Sequence, residues 1–156
     1  MNITAITKRE AITNNEKLNR IAAQFNELVK ELNGRNLPEN TVSSINRDIE
    51  ELNSDRIAGH DLKRLILRKQ AKISRLIEKR HKIVPKNYYR NLWLVLGMTA
   101  FGLPIGITFG MLMNNMGLLA IGLPIGMGIG IAAGSGMDKK AREEGRQLNI
   151  ELKGGL

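Results

Sequence analysis

Apolar residues in the first half of the chain recur at spacings that wind onto one side of a helix. Leu18, Ile21, Phe25, Leu28 and Leu32 follow a 3-4-3-4 rhythm, the mark of a single seam on an α-helix. Asn14 or Asn15 is placed to cap this helix and Gly34 to end it. Pro38 stands where a second helix begins, and Val42, Ile45, Ile49 and Leu52 carry the rhythm to about Asn53. Ser54, Asp55 and Gly59 predict a break over residues 53–60. Asp61 is the expected cap of a third helix running to about Val84. Its apolar positions are Leu62, Leu65, Ile66, Ile73, Leu76, Ile77 and Ile83, interrupted by Lys69 and Arg80, and Pro85 ends or kinks it. Helices this short need tertiary partners. Two heptads leave open whether the seams close in an intrachain bundle or in coiled coils between subunits.

The pattern changes at Asn91. From there to Met137 no side chain is charged, a run about twice the ~20 apolar residues that cross a bilayer once. Asn114, Asn115, Met116 and Gly117 divide it. The expectation is two spanning helices, about 92–113 and 118–137, joined by a tight turn. Tyr88, Tyr89 and Trp93 at the entry fit an interfacial aromatic belt. The predicted class is therefore all-α: a membrane protein with an amphipathic helical or coiled-coil cytosolic domain and a two-helix transmembrane hairpin. Its segments are 1–60 (cytosolic helices), 61–90 (basic juxtamembrane helix), 91–137 (hairpin) and 138–156 (cytosolic tail). The tail is expected to extend the second span for a few turns before Gly154 and Gly155.

Charge sets the orientation. The chain carries a formal net charge of +9, and the excess lies in residues 61–90, leading into the apolar run. Lys79, Arg80, Lys82, Lys86 and Arg90 precede the first span, Lys139, Lys140 and Arg142 follow the second, and the connecting turn is uncharged. Both termini are therefore expected in the cytoplasm, with the hairpin in the cell (inner) membrane. The polar stretch Met1 to Glu10 lacks an apolar h-region, which argues against a cleaved signal peptide. The basic residues Lys63, Arg64, Arg68, Lys69, Lys72, Arg75, Lys79 and Arg80 have three readings. They hold anionic lipid or merely signal topology, they meet an acidic protein partner or a neighbouring subunit, or they bind nucleic acid or a nucleotide signal. The last is weakened by the lack of interleaved aromatics for base stacking.

Glycine gives the apolar run its character. Gly102, Gly106 and Gly110 are spaced by four, as are Gly122, Gly126, Gly130 and Gly134. Each series clears one helix side so that another backbone can approach. Gly128 and Gly136 lie off the main stripe and favour oligomers over a lone hairpin. The segment Gly102-Leu103-Pro104-Ile105-Gly106 recurs as Gly122-Leu123-Pro124-Ile125-Gly126, a small-scale likeness to the inverted repeats of transporters. Pro104 and Pro124 free the carbonyls of Ala100 and Ala120. These are either re-satisfied at a plain kink or turned toward water or an ion, with Thr108 the hydroxyl that follows Pro104 in the first span.

On these glycine series, the paired Gly-Leu-Pro-Ile-Gly and the exit Asp138-Lys139-Lys140, the last third of the chain resembles the glycine-zipper, two-span hairpins of small bacterial membrane proteins. That resemblance implies close-packed self-assembly in a membrane. The layout also resembles small two-span channels and defence effectors, and the mitochondrial calcium uniporter. The uniporter family places acidic residues in its interhelical linker, whereas Asn114 to Gly117 hold no carboxylate.

No catalytic constellation is visible. The chain has no cysteine and two histidines, His60 and His81, both read as solvated. There is no phosphate-binding glycine loop, and adjacent carboxylates such as Glu50 and Glu51 diverge on a helix. An enzyme, a cofactor and a metal site are not expected. No ionisable residue lies inside the spans, which disfavours proton-coupled transport. The favoured expectation is a homo-oligomeric pore of glycine-faced helices, gated or assembled by the cytosolic helices. The alternative is a non-conducting anchor whose helical domain recruits an acidic partner. Membrane lipids and further copies of the chain are the expected partners.

Overall fold

The computed structural model describes residues 2–7, 10–54, 59–115, 117 and 119–152, and within them the regular secondary structure is helical apart from one isolated β-bridge. Seven α-helices follow in order: α1 (Glu10–Thr13), α2 (Glu16–Asn33), α3 (Glu39–Asn53), α4 (Gly59–His81), α5 (Tyr88–Gly97), α6 (Leu103–Leu112) and α7 (Leu119–Glu143). A π turn, Met98–Gly102, joins α5 to α6 in one continuous helix. The expected features at Asp55, Met116, Leu118, Gly154 and Gly155 lie outside the described residues. The chain divides into two compact units, Met1–Lys82 with Leu148–Gly155, and Ile83–Gln147.

In the first unit the predicted seams close within one chain. Leu18, Phe25, Leu28 and Leu32 of α2, Val42, Ile45, Ile49 and Leu52 of α3, and Leu62, Ile66, Ile73 and Ile77 of α4 are all buried. Both α2 and α3 pack on α4, so the intrachain bundle is the observed outcome. Asn15 is the cap of α2, its side chain accepting from Leu18 N–H at 3.1 Å, and Pro38 occupies the N-cap of α3. Two ends differ from expectation. α4 begins at Gly59, so Asp61 lies inside its first turn, where a carboxylate still complements the helix dipole. α4 stops at His81 rather than near Val84, because Lys82 turns left-handed (φ 57°) before Pro85 is reached.

Two segments outside the helices complete this unit. Residues 2–7 run extended and bury Ile3 and Ile6. Near the other end, Leu148 and Ile150 are buried, and Asn149 N–H donates to Glu31 Oε2 at 3.1 Å.

The second unit is a helical hairpin of α5–π–α6 against α7. Its two 25-residue helices, Tyr88–Leu112 and Leu119–Glu143, are long and apolar enough to cross a membrane. α7 runs past the apolar segment to Glu143, and a left-handed Gly145 (φ 68°) turns the chain away. Val84 and Gln147 then form the isolated parallel bridge, with Val84 N–H donating to Arg146 O at 3.0 Å.

Candidate functional site

The hairpin is built from backbone approaching backbone. A methyl group added to Gly126 would lie 2.6 Å from Gly102 Cα, and one added to Gly122 would lie 2.6 Å from Gly106 Cα. Farther down, a methyl on Gly134 would meet Tyr89 O at 2.5 Å. Gly102, Gly106, Gly110, Gly122, Gly126, Gly130 and Gly134 are all buried. At Gly106, Gly122, Gly126, Gly130 and Gly134 an added methyl would come within 2.5 Å of the facing backbone, so no side chain larger than hydrogen fits there. Of the two ways the glycine series can pack, inside the hairpin or between subunits, they take the first and face each other inside one hairpin. Gly128 and Gly136 point elsewhere, with nothing within 4 Å of an added methyl.

An eighth glycine joins this contact. Gly97 stands five residues before Gly102, which in a plain α-helix puts it about 100° away from that stripe. The intervening π turn takes up one extra residue, with Leu103 N–H reaching back to Met98 O. Gly97 is thereby buried, and a methyl on it would lie 2.8 Å from Gly130 Cα. Spacing by four conceals this position in the sequence. Ala100, Pro104, Thr108, Ala120 and Pro124 are all exposed on the outer sides of the hairpin. Thr108 Oγ1 donates to Pro104 O at 2.9 Å, so the one hydroxyl of α6 is turned to its own helix. The two prolines are treated differently: a π turn precedes Pro104, while Pro124 sits inside regular α7.

The stripe Gly122, Gly126, Gly130, Gly134 ends four residues later in Asp138. This carboxylate is buried and accepts from Tyr89 N–H at 3.1 Å and Arg90 N–H at 2.9 Å. It satisfies two of the orphan amides at the start of α5 and opposes the positive end of that helix. Four glycines let the helices touch, and the aspartate that follows fixes how far one slides along the other. Around it, Lys86, Arg90, Lys139 and Arg142 line a cavity of about 200 Å³, so this end of the hairpin is cationic. Tyr88 and Tyr89, their rings edge to face at 5.3 Å, and Trp93 lie half-buried nearby in sequence.

In the first unit α4 is two-sided. Leu62, Ile66, Lys69, Gln70, Ser74 and Ile77 turn inward, whereas Arg64, Arg68, Arg75 and Lys79 form one exposed stripe. Lys69 therefore leaves the expected set of surface cations. Its ammonium lies 2.7 Å from Asp48 Oδ1 and 2.5 Å from Glu51 Oε2, and exposed Lys72 reaches the same Asp48 oxygen at 2.8 Å. Burial pushes Asp48 toward its neutral form, but hydrogen bonds and charges from Lys69 and Lys72 prevail and hold its pKa below the usual carboxylate value. Burial likewise opposes the Lys69 charge, and Asp48 and Glu51 reverse that and raise its pKa. Arg80 and His60 are exposed. His81 is half-buried rather than fully solvated, with Nε2 3.1 Å from Thr41 Oγ1.

The feature with the most directional chemistry is one that sequence patterning misses. The extended residues 2–7 are held by four asparagines, Asn26 and Asn33 of α2 and Asn46 and Asn53 of α3. Asn33 accepts from Ile3 N–H (2.8 Å) and donates to Ile3 O (2.9 Å), and Asn26 does the same for Ile6 (2.8 and 3.1 Å). On the other side Asn46 joins Thr4 N–H (2.9 Å) to Asn2 O (3.1 Å), and Asn53 joins Thr7 N–H (2.9 Å) to Ala5 O (3.2 Å). Each amide thus donates once to and accepts once from main chain, and Asn46 Oδ1 also accepts from Thr4 Oγ1 at 3.3 Å. The signal was present as asparagine pairs seven residues apart on both helices, but polar residues at heptad spacing read as a solvated face.

Set against protein families, curated proteins and solved structures, the chain matches none of them. Among the described residues no group of three or more His, Asp or Glu is placed to hold a metal.

Proposed function

We propose that this chain is an integral membrane adaptor. The hairpin crosses the inner membrane twice with both chain ends on the cytoplasmic side, and the helical unit presents the basic stripe of α4 to an acidic partner. The observation that carries this reading is that the glycine faces are occupied inside one hairpin, so it is a complete two-helix anchor without a second copy. Membrane insertion itself is supported by the outer surface. Val95, Phe101, Phe109, Ile121 and Ile129 are exposed, and only 17% and 22% of the two apolar windows are buried. A core helix of a soluble protein hides most of its apolar surface, and large exposed apolar patches mark contact with lipid or protein. The cationic residues at one end of the hairpin support the cytoplasmic orientation.

Liposomes carrying the purified chain are expected to stay tight to ions. Reversing the charge of Arg64, Arg68, Arg75 and Lys79 is expected to abolish binding of an acidic peptide while leaving the chain in the membrane fraction. Steady ion flux at one copy per vesicle or more sinks the anchor reading.

One observation favours the pore as a second reading. Gly128, Ala132 and Gly136 form an outward stripe with open space at both glycines, on which a neighbouring hairpin of a glycine-zipper assembly would pack. That pore would be lined by apolar side chains and gated by dewetting. It requires that Gly128→Leu with Gly136→Leu abolish both oligomers and flux.

A further inference from the structure

The groove between α2 and α3 has the properties of a peptide-binding site. Both helices pack on α4, and the space between them is filled by residues 2–7. That segment belongs to no helix or sheet. Its main chain shares eight hydrogen bonds with the four asparagines, donating four and accepting four, and only Ile3 and Ile6 bury their side chains, while Asn2, Thr4, Ala5 and Thr7 remain exposed. The recognition is thus of an extended backbone plus two apolar side chains three residues apart.

Two repeats are matched across this contact. Seven residues of α-helix advance about 10.5 Å, and three residues of extended chain advance about 10 Å. Moving from Ile3 to Ile6 therefore moves one rung, from Asn33 to Asn26, antiparallel to α2. Moving from Thr4 to Thr7 moves one rung, from Asn46 to Asn53, parallel to α3. Past Ile3 the groove opens into a cavity of about 410 Å³ with Leu32, Leu37, Pro38 and Val42 in its walls.

We propose that this groove binds an extended apolar-x-x-apolar segment in trans, that residues 2–7 are its tethered occupant, and that the trans ligand is the same segment of a second copy. The second copy is the occupant the contacts fit: its residues 2–7 offer every bond already seen, so exchange alters no bond and is decided by effective concentration. The membrane reading enters only as a source of that concentration, and the groove is testable without it.

The full-length chain carrying Ile3→Asp and Ile6→Asp empties its own groove. In detergent it is expected to bind a fluorescent peptide with the sequence of residues 2–9, read by anisotropy. Adding Asn26→Ala or Asn53→Ala is expected to weaken binding about tenfold each. Mixing this chain with a full-length Asn26→Ala, Asn53→Ala chain, whose segment is intact, is expected to give a cross-linkable pair that neither forms alone. No peptide binding by a variant that keeps its helical circular dichroism overturns the site. Peptide binding without pairing overturns the second copy and assigns the groove to a partner's segment. Should the double aspartate variant unfold, hydrogen exchange of the unmodified chain decides. The amides of Ile3, Thr4, Ile6 and Thr7 are expected to exchange at least about tenfold faster than those of Ile66 and Ile73, and equal protection overturns the proposal. Loss of membrane insertion leaves all of these readouts unchanged, so the two readings fail separately.

Discussion

Asp48 shows at the scale of one residue why a charged layer survives in an apolar bundle. Ile66 and Ile73 of α4 are seven apart, and the turn between them brings Lys69 and Gln70 inward. A buried ammonium without a partner is costly, and Asp48 with Glu51 provides one. Asp48→Ala alone is expected to destabilise the unit by about 3 kcal/mol, because it removes the buried partner of Lys69 and leaves only the exposed Glu51 carboxylate beside it. Asp48→Ala combined with Lys69→Met is expected to recover most of that loss, measured by urea unfolding. The pH dependence has a definite sign. Asp48 has its pKa lowered from 3.8, so its contribution is complete above about pH 4 and fades as pH falls through the lower folded value. Lys69 has its pKa raised from 10.5, so its contribution is complete below that pH and fades as pH rises through the higher folded value. The pair thus gives a plateau between these limits, which the double variant is expected to lack at both edges. The interruption of the seam at Lys69 was legible in the sequence, but not its resolution. Asp48 and Glu51 sit on a different helix, and no local pattern announces which carboxylate a buried lysine will find.

At the scale of elements, helix positions and apolar seams were largely readable, since both follow from side-chain periodicity. What escaped were contacts between main chains. Gly97 is the clearest instance: its place in the hairpin depends on a π turn, and Pro104 alone does not explain that turn, because Pro124 is accommodated in a regular helix. The register of Gly97 is the better account. Deleting Ala100 shortens the Gly97-to-Gly102 interval to four, and the hairpin is expected to keep its stability within about 1 kcal/mol with a plain helix in place of the π turn. A much larger loss would show that the wide turn itself is required. The glycine contact makes a contrasting prediction. Gly126→Ala places a methyl 2.6 Å from Gly102 Cα and is expected to cost about 1–3 kcal/mol as the helices separate. Gly128→Ala meets nothing within 4 Å and is expected to leave the hairpin intact. Trp93, the only tryptophan, lies beside Gly130, so thermal melts in detergent followed by its fluorescence distinguish the two.

At the scale of the whole molecule the question is which solvent surrounds α5 to α7. Helices that touch through glycine present their large residues outward, and Leu96, Ile107, Met111, Leu112 and Ile125 are exposed accordingly. In water this surface would drive aggregation, whereas in hydrocarbon it is the required exterior. The two helix ends at which the hairpin begins and finishes carry Lys86, Arg90, Lys139 and Arg142, and the turn between the helices carries Asn114 and Asn115 without charge. Moving that cationic end across a bilayer is far less favourable than moving the turn, which is the basis of the proposed topology. The absence of cysteine makes it directly measurable. In intact cells Asn115→Cys is expected to react with a membrane-impermeant maleimide, while Thr13→Cys and Lys140→Cys, both exposed positions, are expected to react only after lysis. The opposite labelling would invert the hairpin. Equal protection of all three in cells, with the chain recovered in the soluble fraction without detergent, would remove the bilayer and with it both the anchor and the pore.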